Sequence, residues 1–313
     1  MKRLCLIPLL LAAAPASQPA PSPPEIVAAA PASDWVAIAA SDLLVMDLAA
    51  DAKGRPRRVV IQLMPPPFSQ GWIGNIRTLA AAHFWDGTSV NRVQDNYVVQ
   101  WGDVTEKKAL PVGLEINSEY AYRSNENYPV TKRVKDQHFA SRDGQLPRFE
   151  RDAYAEETFF FDGWPIAWQN THLNGDVWPV HCYGMVGVGR GFSPETGSGA
   201  ELYTVIGHAP RHLDRNIALV GRVIQGIEHL SSLPRGTEAL GFYKTAEERV
   251  PILSVRTGNE IADLPVFEYL STESASFATY ADARANRRDP FFIKPAGGAD
   301  ICNIPVPVRR KMG

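Results

Sequence analysis

Short strand-forming runs, broken again and again by turn residues, constrain this chain more than any other feature. Residues 43–48 (LLVMDL) and 58–63 (RVVIQL) are apolar and rich in β-formers, and the DAKGRPR between them carries turn chemistry, so a hairpin is expected. Residues 90–103 (VNRVQDNYVVQWGD) set valines and aromatics around Asp95-Asn96, a second pair of short strands. Similar runs recur at 184–188, 202–206, 217–220 and 250–255. Helical spacing is confined to 72–82, where Ile73, Ile76, Leu79 and Ala80 recur at three- and four-residue steps, a short stretch at 223–230, and 274–286 with Phe277, Tyr280 and Ala281. Many short strands with so few helices predict a mainly β fold, barrel or sandwich, and argue against a parallel sheet.

The remaining segments frame that unit. Residues 1–16 (MKRLCLIPLLLAAAPA) place Lys2 and Arg3 before an apolar run and a small-residue end, the pattern of a secretory signal peptide cleaved near Ala16. The run is too short for a transmembrane helix, so an exported protein, periplasmic or secreted, with no stable membrane anchor is expected. Residues 17–33 are dominated by Pro and Ala and predict an unstructured linker. A domain is expected over 34–264, interrupted by a long loop insertion at about 104–180, and residues 265–313 form a C-terminal extension whose helix docks on the barrel.

The 313-residue chain is 45% hydrophobic and 21% charged, ordinary for a globular protein with a substantial core. Loss of Lys2 and Arg3 with the leader takes the formal net charge from −2 to −4, which suggests no nucleic-acid-binding face. Arg309, Arg310 and Lys311 read as a solvated chain end. Cys182 and Cys302 survive leader removal and can pair if their Cα atoms lie near ~5.5 Å; two buried free thiols is the alternative.

Two blocks carry a resemblance. RVVIQLMPPPFSQGWIGNIRTLAAAHFWDGTSVNRVQDNYVVQWGD is similar to the first half of a cyclophilin, with strand, proline turn, helix, aromatic-Asp-Gly loop and arginine-bearing strand in order. GMVGVGRGFSPETGSGAELYTVIGHAPRHLDRNIALVGRVIQGIEHL resembles the second half, with its glycine-rich loop, Leu-Asp turn and Gly-Arg-Val strand. The resemblance implies a closed eight-stranded antiparallel barrel capped by two helices, and a peptidyl-prolyl cis-trans isomerase acting as a monomer on proline-containing polypeptides, with no cofactor or metal. A binding or chaperone module on the same fold, without turnover, is the alternative.

That chemistry is rotation about the imide bond before proline, whose barrier of ~18–20 kcal/mol comes from partial double-bond character. A fixed donor that stabilises the twisted state suffices, without nucleophile or metal. The resemblance places Arg92 at the catalytic arginine, and a guanidinium is a permanently charged fork of donors. It places Gln100 as the amide that orients the substrate backbone. Tyr97, Val98, Tyr203 and Leu213 fall on the apolar proline pocket, with Glu201 and His212 as further substrate contacts. The chain departs from the family at Asn91, Gly187, Glu201, His212 and Ile217, and Tyr203 adds a hydroxyl that needs a partner. Competing site patterns are weaker: His208 and His212 have metal spacing but straddle Pro210, Ser198 lacks the glycines of a nucleophile elbow, and His181-Cys182 suggests a thiol protease only by adjacency.

Overall fold

The computed structural model describes residues 19–124, 152–170 and 175–311. The expected leader and most of the charged part of the insertion lie outside the described residues. After a short strand β1 (Trp35–Ala37), the predicted hairpin forms from β2 (Leu43–Leu48) and β3 (Arg57–Leu63), with Leu43 opposite Gln62 and Leu48 opposite Arg57. A second hairpin, β4 (Ser89–Val93) and β5 (Val98–Gly102), turns through Asp95-Asn96, and Asn96 takes the left-handed conformation that asparagine tolerates. These four strands join β9 (Met185–Val188), β10 (Leu202–Val205), β11 (Leu219–Gln225) and β12 (Val250–Thr257). All eight close into an antiparallel barrel in the order β10-β5-β4-β12-β2-β3-β11-β9. Closure leaves no strand edge of the barrel unpaired.

Two helices cap the barrel. α2 (Gln70–Ala81) covers the residues expected from their spacing and buries Trp72, Ile73, Ile76, Leu79 and Ala80, packing on β11 and β12. Fully burying an aliphatic side chain of this size contributes about 1.5–3 kcal/mol, so this face alone holds the helix in place. Trp72 Nε1 then ties it to the loop before β10, donating to the Gly197 carbonyl at 2.9 Å, and Trp85, in the turn after the helix, donates through Nε1 to that of Ala200 at 2.8 Å. The helical stretch expected at 223–230 is shorter in fact. Residues 223–225 continue β11, pairing with β3, and the helix α3 is only Glu228–Ser231, with Leu230 buried against β3.

Outside the barrel the sequence-based expectations need correction. The Pro/Ala segment contains a helix, α1 (Pro23–Ala29), started by a capping box in which the Ser22 backbone N–H donates to Glu25 at 2.7 Å, and anchored by buried Ile26. It packs on α4 (Ala275–Ala285), the C-terminal helix the spacing predicted. The insertion is no loop in its second half: β6 (Glu157–Phe161), β7 (Trp164–Gln169) and β8 (Asp176–Pro179) form an antiparallel sheet with Trp164 and Trp178 fully buried. α4 meets this sheet, Phe277 packing edge-on to Phe160 at 4.9 Å between ring centroids. A third sheet joins β1 to β13 (Phe267–Leu270) and β14 (Val308–Arg310), so the chain end is not merely solvated. Arg309 pairs with Glu268 at 2.6 Å and lies 3.7 Å from the Trp35 ring centroid. Cys182 and Cys302 form a disulfide with Cα atoms 5.1 Å apart, which removes the thiol reading of Cys182 and joins the barrel to the extension. No helix among the described residues is long and apolar enough to cross a membrane.

Candidate active site

The site begins with a strand irregularity. Between β4 and β5 the register slips at Asn91: Val90 faces Trp101, yet Arg92 faces Gln100. In regular alternation Val90 and Arg92 would share a face. The bulge instead sends Val90 and Val93 both into the core and turns Arg92 outward, beside Gln100. On β5 and β10 the alternation is regular. Val99, Trp101 and Leu202 fill the barrel, while Val98, Tyr203 and Val205 form a separate apolar cluster on the outer face, with Tyr97, Leu213 and Ile217 against it. The proline-pocket candidates are thus not barrel core. They are the wall of an open surface cleft.

Arg92 stands at one edge of this cleft, and every part of its head is held. Nε donates to the Leu240 carbonyl at 2.7 Å, Nη1 to Gln100 Oε1 at 2.8 Å, and Nη2 to Gln94 Oε1. The Tyr97 and Phe242 rings lie 5.8 and 5.4 Å from its Cζ, so the cation is gripped from two sides. Burial lowers its pKa from the ordinary value, opposed by Tyr97 and Glu201, but an arginine stays charged at any working pH. Gln100 passes the chain on, its Nε2 donating to Glu201 Oε1 at 2.7 Å. Burial pushes the Glu201 carboxyl up, against that hydrogen bond. Glu201 therefore braces Gln100 from behind and is not among the residues lining the cleft. His212 is exposed and reaches the site only by stacking on Tyr97, 6.2 Å between centroids.

Val98 and Tyr203 line the cleft with Leu213 and Ile217, and Gly189 and Arg190 add to its lining. The Tyr203 hydroxyl finds its partner beneath: it bonds His181 Nε2 at 2.9 Å, and His181 Nδ1 lies 2.8 Å from Asp214 Oδ1. An ionised carboxylate can only accept, so Nδ1 donates to it, and Nε2 shares a hydrogen bond with the phenol. Arg211 extends the chain, donating through Nε to Asp214 at 2.6 Å and through both Nη to Asp152 at 2.7 and 3.0 Å. Burial raises the Asp214 carboxyl, but the His181 hydrogen bond and the charges of His181 and Arg211 outweigh it and hold the group low. Gly187 makes room for this arrangement, since a Cβ there would sit 2.3 Å from the Tyr203 hydroxyl.

Sequence reasoning missed Leu240, Phe242, Gln94, Arg190 and the His181, Asp214, Arg211, Asp152 chain. The first two arrive from a loop some 150 positions away, and nothing local signals it; the Tyr203 hydroxyl was the one pointer to a buried partner. Chemically, the arrangement offers a fixed cationic donor at the rim of an apolar cleft floored by aromatic and aliphatic groups. It suits rotation about a bond, not bond making.

A family model described as cyclophilin type peptidyl-prolyl cis-trans isomerase/CLD matches residues 59–257, more than half the chain. The chain belongs to this family. Among solved structures, the cyclophilin AquaCyp293 from Hirschia baltica superposes with a TM-score of 0.62 at 18% identity, covering 89% of this chain and 95% of that one. At that identity the likeness shows the fold, and it extends well beyond the span of the family match. A Cryptosporidium parvum cyclophilin type peptidyl-prolyl cis-trans isomerase, crystallised in the presence of the dipeptide Ala-Pro, aligns with a TM-score of 0.36 at 12% identity, covering 68% of this chain and 98% of that one. A search of curated proteins finds no match. As a cyclophilin, the protein carries the mainly β barrel and the isomerase class its ordered motifs implied.

Proposed function

We propose that this cyclophilin isomerises prolyl bonds in exported polypeptides, working as a monomer outside the cytoplasm after loss of its leader, and so assists their folding. The observation that carries the reading is Arg92, locked by three hydrogen bonds and two rings at the edge of an apolar cleft. Tyr97, Val98, Tyr203 and Leu213 would receive the proline ring, and Gln100 would orient the backbone on one side of the twisting bond. Arg92 would donate to the proline nitrogen as it loses conjugation, a hydrogen bond available only in the twisted state and so selective for it. A donor of this kind is worth about 10²–10³ in rate. The disulfide is consistent with an oxidising compartment.

The test is proline-limited refolding of a secreted protein with a native cis proline, run with the mature chain, together with mass spectrometry of the chain purified from the cell envelope. Accelerated refolding and a mature terminus near residue 17 support the proposal. Unchanged refolding removes the folding role, and an intact leader removes the export.

A further inference from the structure

Arg190 lines the same cleft as Arg92, with Tyr203, Leu213 and Ile217 between apolar walls. Its guanidinium is fixed, yet entirely by backbone: Nε and Nη2 both donate to the Asn216 carbonyl at 3.0 and 2.9 Å, and Nη1 to that of Gly191 at 2.7 Å. Carbonyl dipoles orient a cation without cancelling its charge. Three neighbouring carboxylates are committed elsewhere. Glu195, in the same loop, accepts from the Gly191 and Gly197 N–H groups at 2.5 and 2.6 Å; Glu201 accepts from Gln100; Asp214 is buried with His181 and Arg211. Among the described residues no acid forms an ion pair with Arg190 or Arg92, and the cleft lining contains two guanidiniums and no carboxylate. Three N–H groups of Arg190 are spent, and the others remain for a ligand.

We infer that the cleft selects prolyl peptides with a carboxylate side chain, Asp or Glu, next to the proline, and that Arg190 is the residue that selects them. The inference rests on the reading of the cleft as a prolyl-peptide site and names its substrate class. A guanidinium already positioned by three backbone carbonyl contacts pairs with a carboxylate more strongly than a free surface arginine does, because little ordering remains to be done. A lysine at that peptide position would meet two like charges instead, so discrimination comes from repulsion as well as attraction.

The experiment measures binding and turnover separately, on the full mature chain. Two fluorescent peptide series, Ala-Xaa-Pro-Ala and Ala-Pro-Xaa-Ala with Xaa as Glu, Gln or Lys, are titrated at low ionic strength against wild type, Arg190→Gln and Arg190→Lys. In at least one series wild type binds the Glu peptide about tenfold tighter than Gln, and Lys weakest. That Glu-to-Gln ratio falls to about one in Arg190→Gln, survives largely in Arg190→Lys, and shrinks in high salt. Because each ratio is taken within one variant, a loss of folded protein does not imitate the result. A ratio unchanged in Arg190→Gln, or equal binding of Glu and Gln by wild type, overturns the inference. Isomerisation of the Gln peptide is followed in parallel: no turnover with the Glu preference intact sinks the catalytic reading alone, and no binding of any peptide sinks both.

Discussion

Arg92 is held as a donor by contacts that reach it from far along the chain. The slip at Asn91 that turns it outward, and the Leu240 carbonyl and Phe242 ring that fix it, come from register and from a distant loop, neither of which leaves a local pattern. Tyr203 depends on a buried partner in the same way. Its hydroxyl demanded a partner, and the partner is a buried histidine held by a buried aspartate. Removing that hydroxyl leaves His181 Nε2 without a bond, so Tyr203→Phe is expected to lose about 1–3 kcal/mol of stability in chemical denaturation. Asp214 supplies a pH signature with a definite sign. Its carboxyl is held below the ordinary range, so the stability it contributes is present at neutral pH and drains away as pH falls below about 4 toward its folded value. Melting temperature should therefore drop steeply in acid for wild type. Asp214→Asn, already less stable at pH 7, should show a shallower acid limb; equal slopes would contradict the assignment.

At the scale of elements, the barrel strands and α2 followed from periodicity, whereas the pieces around the barrel did not. The β6–β7 hairpin is instructive, because its signal was present: Asp162-Gly163, both at positive φ, forms the two-residue turn between FFF and WPIAW. Its aromatic strands are buried on neighbours from the barrel and the C-terminal helix, so no alternation of polar and apolar residues marked them. The Pro/Ala segment departs from its composition for a related reason. Its composition is poor in core-formers, yet one isoleucine and a capping box suffice once α4 offers a surface. Arg222 knits these parts together from the barrel wall, donating to Gln62 and to the Gly163 carbonyl and lying 4.5 Å from the Trp164 ring centroid; burial drives its pKa down to about 10. The disulfide does the same covalently, across a sequence separation of 120. Cys302→Ser is expected to cost about 2–4 kcal/mol, read as a fall in melting temperature that reductant reproduces in wild type and not in the variant.

On the scale of the whole molecule, the inserted sheet, the N-terminal helix and the C-terminal extension share one continuous core with the barrel, which runs from Ile26 through Trp72 and Phe160 to Ile304. The cleft lies on the outer face of that assembly, and its floor is braced through Tyr203, His181, Asp214 and Arg211 to Asp152 of the insertion. The additions thus bear on the site as well as on stability. The proposed role of Arg92 as donor in prolyl isomerisation meets its sharpest test in a protease-coupled assay on a short Ala-Pro peptide, comparing wild type with Arg92→Ala after circular dichroism shows both folded. Wild type is expected to catalyse isomerisation, and Arg92→Ala to lose about 10²-fold or more in kcat/KM. Equal rates for the two proteins, or no acceleration by wild type, would overturn that role.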